Sequence, residues 1–241
     1  MRNHVLALFV LVAVIALGAR WLMPEPPAQS PTPSPVASPS KSPLMSPSLP
    51  AGEAYVAKPP QLIERGKGPA LTKVTRVRMH TSQGVLDIEI YPQAAPNAAK
   101  RFLELASSGY YDGTPIFRVI PKFVAQFGIN SKRKAWKDKN FNDDPSLYKL
   151  EPGTLAFAKA GPNTNSTQVF INYSDHTAML TPHQFTTFGK VTGGYDHALQ
   201  FASVGDPSIG LDQAKLWADT DEFLKTLPEK PDMIKKMEVL P

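Results

Sequence analysis

The sequence predicts a mainly β domain, a closed antiparallel barrel plugged at its ends by two α-helices. Two observations carry this. From Thr75 onward, short apolar runs alternate with turn signals every ten or so residues, the texture of short strands. Only two stretches show helical spacing, so little helix is available to cover sheet edges, and closure removes those edges.

The elements follow in order. Val77 and Met79, then Val85, Leu86, Ile88 and Ile90, flank Ser82-Gln83-Gly84, a hairpin signal with glycine in the turn. Pro96 opens a helix that carries Ala98, Phe102, Leu105 and Ala106 at helical spacing. Strands are predicted over Ile116–Ile120, Phe123–Phe127, Thr154–Ala158, Gln168–Ile171 and Phe188–Val191. A second helix is predicted from Tyr195 to Ala202, and Met233–Leu240 closes the sheet.

Upstream of residue 61 the chain changes character. Arg2 and His4 precede fifteen apolar residues, Val5 to Ala19, then Arg20, Trp21, Leu22 and Met23. As a helix, Val5–Met23 would be about 28 Å long, close to a bilayer core of ~30 Å if Arg20 snorkels beside Trp21. An uncleaved membrane anchor over residues 1–23 is preferred. A cleaved secretory signal, with Ala16-Leu17-Gly18 as the small-residue site, is the alternative. Either places the remainder in the cell envelope, on the periplasmic or outer-surface side. Of 25 prolines, 12 fall between Pro24 and Pro60, alternating with serine. Residues 24–60 read as a disordered, extended tether, leaving 61–241 as one domain.

Composition excludes several chemistries. The chain has 241 residues, 42% hydrophobic and 20% charged, with no cysteine. Disulfides, thiolate metal sites and thiol nucleophiles are therefore ruled out. No G-x-S-x-G, H-E-x-x-H, phosphate loop or dinucleotide fingerprint occurs. The five histidines, His176 and His183 among them, are scattered without metal-ligand spacing, so no metal or cofactor is expected. A net charge of +5 spread over 26 cations and 21 anions is no nucleic-acid footprint. The basic run Lys132-Arg133-Lys134 with Trp136, Lys137 and Lys139 is offset by Asp138, Asp143 and Asp144, and reads as a solvated loop. Asn165-Ser166-Thr167 and Asn172-Tyr173-Ser174 match glycosylation acceptors, but lie within the candidate site and are taken as coincidence.

Two segments are informative. In Ile116-Phe117-Arg118-Val119-Ile120-Pro121-Lys122-Phe123-Val124-Ala125-Gln126-Phe127, a charge sits mid-strand, and Val124 and Gln126 share a face. Taken alone, Arg118 reads as an outward edge charge. Ala158-Lys159-Ala160-Gly161-Pro162-Asn163-Thr164-Asn165 precedes the apolar Gln168-Val169-Phe170-Ile171.

Together with Tyr111-Asp112-Gly113-Thr114 and Phe188-Gly189-Lys190-Val191, these segments resemble the cyclophilin-type peptidyl-prolyl cis-trans isomerases, from about Thr75 to Leu240. Phe141-Asn142-Asp143-Asp144-Pro145 and Ile129-Asn130 resemble a bacterial-type variant. The resemblance implies an eight-stranded antiparallel barrel capped by two helices. It also implies isomerisation of X-Pro bonds in proline-containing polypeptides, here exported ones, with assistance to their folding.

That reaction suits the missing motifs. Amide conjugation holds the peptide bond against rotation by ~18–20 kcal/mol, and before proline the two isomers differ by about 1 kcal/mol. No bond breaks, so no nucleophile, metal or acid–base pair is needed. Lowering the barrier by about 7–8 kcal/mol gives five to six decades in rate. The resemblance assigns Arg118 the catalytic role, donating hydrogen bonds around the prolyl nitrogen as it loses conjugation. Phe123, Val124, Phe170 and Leu180 would line the proline pocket. Gln126 would bond the substrate backbone, Lys159 would contribute through its main chain, and Ala160 and Gln168 complete the set. Departures are Met179 where many members carry tryptophan, Phe185 where many carry histidine, and Val124 for a common methionine. The first puts tight cyclosporin binding in doubt. The alternative function is a catalytically idle module that binds proline-containing peptides. Nothing in the sequence suggests more than a monomer.

Overall fold

The computed structural model describes Tyr55, residues 58–64 and residues 66–241. The predicted anchor at 5–23 and almost all of the 24–60 tether lie outside these residues. Among the described residues no helix is long and apolar enough to cross a membrane.

Eight strands form the closed barrel: β1 (Thr75–Thr81), β2 (Val85–Ile90), β3 (Thr114–Ile120), β4 (Val124–Phe127), β5 (Thr154–Phe157), β6 (Val169–Asn172), β7 (Gly189–Gly193) and β8 (Met233–Val239). Their order around the barrel is β1-β2-β7-β5-β6-β4-β3-β8, and every pairing is antiparallel. Each predicted strand is present, with ends shifted by one or two residues. Inward side chains include Val77, Met79, Leu86, Ile88, Phe127, Leu155 and Ile171, the alternate positions that a pleat directs to one face.

The long helix is α1 (Pro96–Ser107), which starts where proline fixes φ. Its Ala98, Phe102, Leu105 and Ala106 are buried against the barrel. Ala95 offers no cap, but the remote Asp144 carboxylate accepts from Asn97 N at 3.1 Å and Ala98 N at 2.8 Å. Orphan amides of the first turn are thus satisfied by a loop forty-odd residues away. Phe102, Phe157 and Phe188 form tilted pairs with centroids 5.1 Å apart.

The second predicted helix is only one regular turn, α3 (Tyr195–Ala198), prolonged to Phe201 by tighter backbone bonds. Among the described residues three further short α-helices occur: α2 (Thr177–Leu180), α4 (Gln213–Ala218) and α5 (Thr220–Thr226). They are too short to show periodicity. The signals of α4 and α5 are their caps, since Asp212 accepts from Lys215 N and Asp219 from Glu222 N. Leu216 and Trp217 of α4 pack with Phe117, Ile129 and Leu211 outside the barrel wall.

The cations of the basic run, Lys132, Arg133, Lys134, Lys137 and Lys139, are exposed, as a solvated loop predicts. Ser131–Trp136 forms a 3-10 turn capped by Asn130. Lys134 Nζ donates to Ala218 O, and Lys139 and Arg101 lie over the Trp136 ring. From the tether side, Tyr55 stacks on Tyr195 at 4.1 Å and donates to Val191 O. Leu62 bridges Tyr148.

Candidate active site

A register shift between Ile116 and Arg118 sets the site on β3. Ile116 and Val119 both belong to the inner core, three apart, while Phe117 packs outside. The bulge thus directs Phe117 and Arg118 together to the outer wall. Arg118 is not an exposed edge charge, since it is only 5% accessible. Its partner across the ladder is Gln126 on β4, and Nη1 donates to Gln126 Oε1 at 3.1 Å. Nη2 donates to Ser208 O at 3.2 Å. Nε is buried without a hydrogen-bond partner among the described residues. The guanidinium lies 5.9 Å from the Phe123 ring. Burial with no carboxylate beside it pushes the Arg118 pKa down to about 10, so at neutral pH the charge is retained.

Beside this polar group lies an apolar floor. Val124 and Phe170 come from β4 and β6, Leu180 from α2, and Phe185 from the loop after it; all four are buried. They form one cluster with Ala156 and Ala158, flanked by the half-buried Phe123 and Met179. Phe170 and Phe185 meet edge to face at 5.9 Å. Phe123 packs its edge region against His176 at 4.7 Å. Asn172 Nδ2 donates to Thr154, so its Oδ1 faces His176 and accepts from Nδ1–H at 2.8 Å. His176 is thereby held in place with its proton on Nδ1, and burial lowers its pKa.

Most residues that the resemblance assigned to the site lie on this wall or beside it. Gln126 Nε2 donates to Gln168 Oε1 at 2.8 Å. Ala160 lines a neighbouring cleft of about 260 Å³ with Lys159, Gly161, Pro162, Gln184 and Phe185. The Lys159 side chain has a place of its own. Its Nζ is 2.7 Å from Asp143 Oδ2, with the side chains 3% and 8% exposed. It also donates to Gln184 O, the residue before Phe185, at 3.1 Å. Asp143 further accepts from Asn163 N and Asn165 Nδ2. The loop before β5 is therefore pinned to the pocket wall. Asn172 is fully buried and Asn165 nearly so, which removes both as folded-state glycosylation acceptors. No metal-holding cluster of His, Asp or Glu occurs among the described residues.

Sequence reasoning missed Ser208, Gln213 and the role of Asp143. Ser208 and Gln213 lie in no motif, and Asp143 lies in the Phe141–Pro145 stretch, but its pairing with Lys159 is set by long-range packing.

A family model described as "Cyclophilin type peptidyl-prolyl cis-trans isomerase/CLD" matches residues 76–239. The chain belongs to this family. This cyclophilin-type isomerase is 36% identical over 135 residues to a peptidyl-prolyl cis-trans isomerase-like 3 of Rhizopus delemar, covering 51% of this chain and 78% of the relative. It is 35% identical over 146 residues to a peptidyl-prolyl cis-trans isomerase of Acinetobacter baylyi, covering 58% and 78%. Among solved structures, a cyclophilin-type isomerase of Cryptosporidium parvum superposes with a TM-score of 0.55 at 26% identity, over 70% of this chain and 99% of that one. A second structure of it, determined in the presence of the dipeptide Ala-Pro, gives 0.54 at 26%, over 69% and 99%.

Proposed function

We propose that this chain isomerises X-Pro bonds in exported polypeptides, assisting their folding, as a monomer tethered in the cell envelope by residues 5–23. The observation that carries the catalytic part is Arg118, a buried guanidinium whose acceptors among the described residues are neutral, set beside an apolar floor. Val124, Phe170, Leu180 and Phe185 would hold the ring. Phe123 closes one side, and Gln126 holds the substrate backbone with the amide proton left over from Gln168.

In the planar ground state the prolyl nitrogen shares its lone pair with the carbonyl and accepts hydrogen bonds poorly. As the bond twists, the lone pair localises on nitrogen, and Arg118 can donate to it. A donor that gains strength only in the twisted state lowers the barrier rather than merely tightening binding. Arginine suits this because it stays charged and its fork of donors is rigid. The envelope setting rests on the apolar stretch 5–23 and the Pro/Ser-rich segment that follows it.

The test is cis-to-trans relaxation of a short X-Pro peptide in the cold, with detergent-solubilised full chain. We expect wild-type acceleration and a loss of about 10²–10³ in kcat/KM for Arg118→Ala, the scale for one transition-state donor. Full activity in the variant would overturn the assignment. A wild type that binds the peptide saturably without accelerating it would be a binding module. For the tether, carbonate-washed membranes should retain the full chain and release a variant lacking residues 1–23; equal release would refute it.

A further inference from the structure

The segment between α3 and β8 touches the reactive arginine twice. Asp206 staples a turn there, its Oδ1 accepting from Ser208 N at 2.8 Å and Ile209 N at 3.2 Å. This turn presents Ser208 O to Arg118 Nη2. Gly210, at φ +73°, runs so close to β3 that a Cβ would lie 2.3 Å from Phe117 O and 2.7 Å from Arg118 Cα. Only glycine fits. Leu211 N then donates to Phe117 O at 2.8 Å. Two residues further on, Gln213 begins α4, half-buried, with Asp212 as its cap.

A guanidinium only donates, so the amide next to Arg118 must turn its oxygen inward. Gln126 does, and its NH2 group then points away and donates to Gln168 Oε1 at 2.8 Å. The Gln168 NH2 group in turn donates to Gln213 Oε1 at 3.2 Å. Three amides from β4, the start of β6 and α4 therefore run one way, every carbonyl on the arginine side. Aligned amides polarise one another. The sense of the chain is set at both ends: by a group that cannot accept, and by whether position 213 can.

We propose that Gln213 is a positioning residue for isomerisation. As terminal acceptor it holds Gln168 and Gln126 in the sense that keeps an oxygen on Arg118, and so keeps the guanidinium aimed at the prolyl nitrogen. This rests on Arg118 being the catalytic group.

The test compares Gln213→Glu, Gln213→Leu and Gln213→Lys in the full chain, measuring kcat, KM and melting temperature beside Arg118→Ala. Glutamate still accepts and loses least. Leucine ends the chain and lowers kcat roughly tenfold, the equivalent of one hydrogen bond. Lysine only donates, reverses Gln168 and Gln126, turns an NH2 group toward the guanidinium and loses most, with KM moving less than kcat. Gln213 is half-buried at the first turn of α4, where charge alters helix stability, so kcat and KM are compared well below every melting temperature. If leucine and lysine match glutamate in kcat, the proposal is wrong. Activity lost in Arg118→Ala with a flat 213 series sinks Gln213 alone. Activity kept in Arg118→Ala sinks the assignment of Arg118 beneath it.

Discussion

Arg118 and Lys159 are two cations at one groove, 5% and 3% exposed, yet they are spent differently. Lys159 meets the Asp143 carboxylate at 2.7 Å and anchors the Gln184 carbonyl beside Phe185. Among the described residues, Arg118 meets the neutral oxygens of Gln126 and Ser208 and no carboxylate. Burial without a counter-charge takes its pKa from 12.5 to about 10, a cost on the order of 3 kcal/mol. A fold tolerates such a cost where something is gained. The lysine charge is consumed in holding the wall together, whereas the arginine charge remains available to a substrate that enters.

The largest effect that would break this contrast is at Arg118. Arg118→Met should abolish at least two decades of activity while the unfolding free energy stays equal or rises by about 1–3 kcal/mol, because an uncompensated buried charge is removed. Urea unfolding measures it. A strongly destabilised Arg118→Met would mean that the charge serves the fold. The pH profile sharpens the point. Arg118 is cationic below its lowered pKa, so kcat/KM should hold level through neutrality and fall as pH rises through about 10.

Next in size is Lys159→Met. It leaves Asp143 buried without its cation, a loss of about 3 kcal/mol, and should loosen Phe185 and raise KM more than it lowers kcat. Lys159→Met combined with Asp143→Asn should recover most of the stability. No recovery would show that the lysine stem, not the ion pair, carries the wall.

The barrel was legible because its signals are local, whereas the groove residues were assigned only through the family resemblance, which contiguous motifs carry. Strand periodicity located all eight strands, and Arg118, Phe123, Gln126, Gln168 and Phe170 sit in contiguous segments. What was not legible depends on long-range packing. Asp144 caps a helix forty-odd residues before it, and Asp143, though it sits in a motif, meets Lys159 only through packing that the motif does not spell out. The helices α4 and α5 are six and seven residues long, too short for a hydrophobic period. Gln213 reaches the site only because Gly210 lets the chain pass against β3. Arg118 itself shows the limit of local reading. In sequence it is an edge charge, and only the bulge and the covering turn at Ser208 make it a buried one.

The smallest effect is the control for the contrast. Lys132 and Asp221 also stand 2.7 Å apart, the same separation as Lys159 and Asp143, but their side chains are 72% and 55% exposed. Water already solvates both charges, and holding two long side chains costs entropy, so their coupling in a double-mutant cycle should be below about 1 kcal/mol and vanish in high salt. The Lys159–Asp143 cycle should give several times that and barely respond to salt. Equal couplings would show that separation, not burial, governs charge in this molecule. The cost assigned to an unpaired Arg118, and with it the argument that its charge is held for the substrate, would then fall.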